Sequence, residues 1–255
     1  MIHLGTSGYS YDDWVGPYYP PDLPKSGWLA FYAREFDTCE INFTFYRMPE
    51  ARTLAAMASK TNDGFLFTVK ATQELTHKRD GDASRFGRFV QALQPLIENN
   101  KFGCILAQFP FSFHPTQANR EYLRALPERF EGLPVVVELR NASWLSESTF
   151  TLLRENRLGF CCVDEPSLKG LIPPIAQATS SVAYVRFHGR NAQKWWNHEQ
   201  AWERYDYTYS PEELREWLPR IGALDSAAEH TFLFANNHWH GQAVDTARQL
   251  RLLLP

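Results

Sequence analysis

Eight short β-rich runs, separated by helix-like segments, constrain this fold more than any other feature of the chain. They cover residues 2–8, 38–45, 66–71, 103–109, 134–140, 160–165, 182–189 and 230–237. Strands separated by helices pair in parallel through crossovers, and about eight such units suit a closed (β/α)8 TIM barrel better than a doubly wound open sheet. The length of 255 residues fits one barrel of about 250. The expectation is an α/β fold with a single TIM-barrel domain over residues 1–255.

The segments between the runs carry helix signals. Trp28, Leu29, Tyr32 and Phe36 recur at helical spacing within 26–36, and Pro49 suits the first turn of a helix over 49–60. Ser84, Thr116 and Ser146 are placed to cap helices over 85–98, 117–130 and 147–156. Ser210-Pro-Glu-Glu213 has the form of a capping box, and a last helix is expected over 242–253. Helix-to-strand connections look short, whereas strand-to-helix connections over 9–25, 72–83 and 190–209 are long and rich in Tyr, Trp and His. In a barrel those long loops lie on the catalytic face.

Polar residues fall late in most strands. Alternation puts Glu40, Asn42 and Thr44 on one side, and likewise Glu138 and Arg140. Thr6 and Ser7, Lys70, Gln108, Asp164, Arg186 with His188, and the run Asn236-Asn237-His238 complete the set. Charges at strand ends are costly to bury unless paired, so a wet functional mouth is expected. Cations there would hold an anion while a carboxylate or His188 moves protons. The alternative is a buried ion network in which Glu40, Glu138 and Asp164 neutralise Lys70, Arg140 and Arg186.

Other classes fit less well. A net charge of -3 argues against wholesale attraction to nucleic acid or anionic membrane, while leaving room for a local basic pocket. The four cysteines lie in apolar runs without CxxC spacing and read as buried free thiols. With no leader-like start and no apolar run of about 20 residues, the chain reads as cytoplasmic, with no membrane partner. A divalent metal on Glu40, Glu138, Asp164 and His188 is chemically reasonable but disfavoured by the neighbouring Lys and Arg. His238-Trp-His240 lacks further ligands for zinc. Aromatic content is high at 15%, and Trp14, Trp195 and Trp196 read either as loop anchors or as stacking platforms for a sugar or base.

The motifs GTSGYSYDDWVGPYYP, EINFTFYRMP, FTVKATQELTH, LAQFPFSF, VVVELRNASW, YVRFHGR and FANNHWHGQA, running from the first strand to the last, resemble the YecE-like family of unknown function. The resemblance implies a TIM barrel. It also highlights Gly5, Thr6, Ser7, Gly8, Tyr11, Trp14, Glu40, Asn42, Phe45, Tyr46, Lys70, His77, Gln108, Glu138, Arg140, Trp144, Asp164, Arg186, His188, Gly189, Arg190, Asn236, Asn237 and His238, without assigning roles. Tyr9 stands where the family usually has Trp, and His240 lies outside the pattern.

The resulting expectation is an enzyme, by preference a hydrolase, acting on a phosphorylated sugar, nucleotide or nucleic-acid end. Lys70, Arg140 and Arg186 would clamp phosphate, and Glu138 and Asp164 would be the acid/base pair with His188 as the alternative proton carrier. Asn42, Gln108, Asn236 and Asn237 would orient the substrate. Thr6, Ser7, Tyr11, Trp14, Glu40, His77, Trp144, Arg190 and His238 complete the expected binding site. The rival readings are a two-carboxylate glycoside hydrolase and a binding module for an anionic or nucleic-acid ligand without turnover. No protein partner is implied.

Overall fold

Eight parallel strands close into a barrel in sequence order, with β8 pairing back onto β1. They are β1 (Ile2–Ser7), β2 (Thr38–Ile41), β3 (Leu66–Lys70), β4 (Phe102–Gln108), β5 (Val135–Glu138), β6 (Leu158–Asp164), β7 (Val182–Phe187) and β8 (His230–Ala235). The computed structural model describes residues 1–80 and 82–254; Gly81, within the expected loop 72–83, and Pro255 lie outside the described residues. The (β/α)8 barrel expected from strand spacing is therefore the fold. Its strands are almost wholly buried, as parallel strands covered by helices must be.

The helices follow the sequence signals, with instructive departures. Thr116 and Ser146 accept hydrogen bonds from Asn119 N and Thr149 N, and Ser210 forms the expected capping box with Glu213. The helix Ala83–Glu98 is capped by Asp82 rather than Ser84. The carboxylate takes the Arg85 N–H, and the Ser84 hydroxyl donates to that same carboxylate at 2.7 Å. The helix expected over 117–130 is two pieces, Gln117–Arg124 and Leu126–Arg129, because Pro127 supplies no N–H to continue the first ladder. Between β6 and β7, residues 165–181 form no helix; Pro166, Pro173 and Pro174 interrupt any such ladder.

One departure shapes the functional face. The run 38–45 leaves the sheet after Ile41: Asn42 has φ -110 and ψ -21, and Phe43–Phe45 forms a 3-10 turn. Thr44 is buried and its hydroxyl donates to the Lys70 carbonyl, which ties this turn to the end of β3. Asn42 and Thr44 therefore do not alternate with Glu40 along a strand. The turn instead carries Phe43, Phe45 and Tyr46 over the barrel mouth.

Candidate active site

The carboxyl ends of the strands deliver Ser7, Glu40, Lys70, Gln108, Glu138 and Arg186 to one region, with Asn236 following β8. Arg186 is its centre. One terminal nitrogen donates to Glu138 Oε2 at 2.7 Å, and the other donates to Glu40 Oε1 at 2.6 Å, with longer contacts to Ser7 Oγ and Asn236 Oδ1. Tyr184, two residues back on the same face of β7, donates to Glu40 Oε2 at 2.6 Å. Arg140 Nε lies 2.5 Å from Glu138 Oε1. Burial would raise the Glu138 carboxyl, but Arg140 and Arg186 outweigh it and hold it well below the usual carboxylate range.

The geometry bears on the expected division of labour in two places. Arg186 lies between two buried carboxylates, at the centre of an ion network. Glu138 and Asp164 have separate sets of partners: Glu138 faces two arginines, and Asp164 points away into the helix layer. Its oxygens accept from Tyr209 at 2.6 Å, Trp217 Nε1 at 2.7 Å and Arg190 at 2.8 and 2.9 Å. Strand parity explains this. The next residue, Glu165, points inward, with Arg140 Nη1 3.6 Å from its Oε2, and burial pushes its carboxyl up to about 7.

His188 is buried within the same network. The Asn236 amide donates to its Nδ1 at 2.9 Å, which leaves the ring proton on Nε2, 3.3 Å from Glu138 Oε1. Burial, then Arg140, lowers the imidazole to about 3, so it is neutral under ordinary conditions. It stands beside Glu138 rather than on the cavity wall.

Lys70 differs from every other charge in the cluster. Among the described residues no carboxylate lies within ion-pair distance of its ammonium, which rests 4.4 Å from the centre of the Phe45 ring. Burial first, and then the Arg186 guanidinium, bring it down from 10.5 to about 7. It borders both lobes of the cleft. A larger lobe of about 850 Å³ is lined by Tyr11, Glu40, Asn42, Gln108, Arg186, Asn236 and His238, with Arg47, Arg52 and Lys60 at its rim. A smaller lobe of about 360 Å³ is lined by His77, Gln108, Arg140, Trp195, Trp196 and Tyr205. Asn42 Oδ1 is buried without a hydrogen-bond partner, an acceptor available to a ligand donor.

Several expected binding residues are tied into the fold by hydrogen bonds. Trp14 and Trp144 are fully buried and donate to the carbonyls of His238 and Phe113. Thr6 bonds to Gly8 O and Tyr32, Asn237 to Tyr207 O and Thr246, and Arg190 to Asp164. The two histidines of His238-Trp-His240 diverge: His238 stacks on Tyr11 at 4.6 Å, while His240 is exposed with φ 48. Glu40 and Glu138 converge on a guanidinium, and no three His, Cys, Asp or Glu among the described residues are grouped to hold a metal ion. Residues outside the expected site include Tyr184, Glu165, Arg47, Lys60 and Tyr205. Alternation from Arg186 would have marked Tyr184; Glu165 and the rim cations carry no sequence signal beyond their charge.

Comparison with known proteins gives a consistent result. The family described as "Protein of unknown function DUF72" matches residues 3–255. The UPF0759 protein YunF of Bacillus subtilis (strain 168) is 32% identical over 270 residues, covering 100% of this chain and 95% of that protein. The UPF0759 protein YecE of Escherichia coli (strain K12) is 25% identical over 285 residues, covering 92% and 100%. The crystal structure of a DUF72 family protein from Thermotoga maritima superposes with a TM-score of 0.92 at 40% identity, covering 99% and 98% of the two chains. One from Enterococcus faecalis gives 0.88 at 25% identity, covering 100% and 95%. The YecE-like resemblance and the barrel thus agree with both kinds of comparison, and the chain belongs to the DUF72 family.

Proposed function

We propose that this protein is an enzyme acting on a small phosphorylated compound, such as a sugar phosphate or nucleotide, with Lys70 as the group that moves the proton. The observation that carries this reading is the position of Lys70. Glu40 and Glu138 pair with Arg186 and Arg140, and Glu165 lies beside Arg140, whereas Lys70 has no carboxylate within ion-pair distance among the described residues and stands at the wall of an open cavity with Arg47 and Lys60 at its rim. A bound phosphate would supply the anionic partner that these cations lack. With its acidity near neutrality, Lys70 serves as either proton donor or acceptor.

In the hydrolytic form of this proposal, the Lys70 ammonium protonates the departing oxygen while Gln108 and Asn42 orient the substrate. The glycoside-hydrolase alternative is less well supported, because Glu40 and Glu138 are both tied to Arg186. Cytoplasmic placement belongs with the same proposal, in keeping with four buried free thiols. Among the described residues no helix is long and apolar enough to cross a membrane.

The test is a thermal-shift screen of phosphorylated sugars and nucleotides, followed by product analysis. Binding raises the melting temperature, and only an enzyme changes the ligand. Shifts with phosphorylated compounds, lost in Lys70→Met, and a consumed ligand are the expected results. Shifts with neutral sugars alone would overturn the proposal, and binding without turnover would reduce it to a binding module.

A further inference from the structure

We infer that Lys70 is an imine-forming lysine, and that the substrate therefore carries an aldehyde or ketone as well as its anionic group. The inference rests on the anionic-substrate reading above and names the chemistry of the same site. Its basis is the placement of Lys70 Nζ. Lys70 is the last residue of a barrel strand, and its side chain lines both lobes of the cleft at their junction. A carbonyl carbon positioned there leaves one lobe for each substituent. The anion faces Arg47 and Lys60 in the larger lobe, and the remainder of the molecule faces Trp196 and Tyr205 in the smaller.

Three features favour a nucleophilic role over a purely electrostatic one. The other cations of the cluster are paired with carboxylates, whereas Lys70 rests against the Phe45 ring. An aromatic face stabilises the ammonium without accepting its proton, so the amine is freed by deprotonation alone. Burial and Arg186 place that deprotonation at about 7, so a substantial fraction is nucleophilic amine at neutral pH. Gln108 also lines both lobes and offers an amide donor to the carbonyl oxygen.

The step balances without an added oxidant or reductant. The Lys70 lone pair attacks the carbonyl carbon, forming a C–N bond while the π pair moves to oxygen. The two amine protons leave with that oxygen as water, and a C=N bond remains. The resulting imine draws electrons from the adjacent carbon–hydrogen or carbon–carbon bond.

The experiment is reductive trapping. Protein is incubated with glyceraldehyde 3-phosphate, reduced with sodium borohydride and analysed by peptide mass spectrometry. The expected adduct is concentrated on the peptide containing Lys70, at least tenfold above those of the exposed Lys25 and Lys169. Its yield rises as pH increases through about 7 and falls to background in Lys70→Arg, whose fold is checked by circular dichroism. Equal labelling of exposed lysines, or undiminished total labelling in folded Lys70→Arg, would overturn the inference. Glycerol 3-phosphate, which has no carbonyl, separates the two readings. A thermal shift with it but no trapping at Lys70 refutes the imine and leaves the anion site standing. Trapping of glycolaldehyde at Lys70 with no such shift supports the imine and refutes the anion site.

Discussion

Arg186 Nη1 donates to Glu138 Oε2 at 2.7 Å across the barrel interior, where both side chains are shielded from solvent. Removing one member of such a pair leaves the other buried without compensation. Glu138 also faces Arg140, so Glu138→Gln leaves two guanidiniums short of one negative charge. The expected loss of stability is about 3–5 kcal/mol in urea denaturation, with native-like circular dichroism retained in the folded fraction. A variant as stable as the parent would refute the role of Glu138 as the balance for these cations.

The acid response should separate residues that pull in opposite directions. The unfolded His188 imidazole takes a proton near 6.5, whereas the buried ring stays neutral down to about 3. Its contribution is therefore lost progressively as pH falls between those values. Glu165 runs the other way. Its folded carboxyl, raised to about 7 from 4.5, contributes most below 4.5 and loses that contribution as pH rises through 7. Glu138, held well below 4.5, adds a loss only under more acidic conditions. Melting curves from pH 7 to 4.5 should show His188→Gln gaining stability relative to the parent as pH falls, and Glu165→Gln losing it. Parallel profiles for both variants would contradict these assignments.

Lys70 gives a further pH signature. Its folded ammonium releases its proton at about 7 rather than 10.5, so the folded state carries a penalty that is full below 7 and disappears as pH rises to 10.5. Lys70→Met removes both the charge and the penalty. The variant should be more stable than the parent at pH 6, with an advantage that shrinks steadily towards pH 10.5, while ligand binding is lost. Stability at the expense of function is the pattern expected of a strained site residue. A constant difference across pH would show that Lys70 is not desolvated.

Most of the barrel was legible because its signals are local. Strand spacing, proline positions and the Ser210 capping box each depend on a few neighbouring residues. The site was legible only as an address. Glu40, Lys70, Gln108, Glu138 and Arg186 do meet, yet their roles depend on partners remote in sequence, such as Glu40 and Arg186, which are 146 positions apart. Asp164 and Glu165 differ in parity: in a strand one residue decides between barrel interior and helix layer, and the end of a parallel strand buried on both sides gives no apolar–polar alternation to set the phase. Likewise Arg186 and Lys70 look equivalent in sequence, and only the count of nearby carboxylates distinguishes the centre of the ion network from the free amine.

The aromatic loops carry the last prediction, because their tryptophans divide by exposure. Trp14 is fully buried, with its indole N–H bound to the His238 carbonyl, and it holds the first loop against the segment after β8. Trp196 is 53% exposed at the smaller lobe, its ring edge-on to Phe111 at 5.1 Å. Trp14→Ala should cost about 3–5 kcal/mol through the cavity it leaves. Trp196→Ala should change stability by less than about 0.5 kcal/mol, as exposed positions do, yet weaken binding of any ligand that thermal-shift screening identifies. Stability and affinity measured on both variants distinguish anchor from platform: if Trp196→Ala binds ligand as the parent does, the smaller lobe is not part of the substrate site, and the substrate is confined to the lobe between Lys70 and the rim cations.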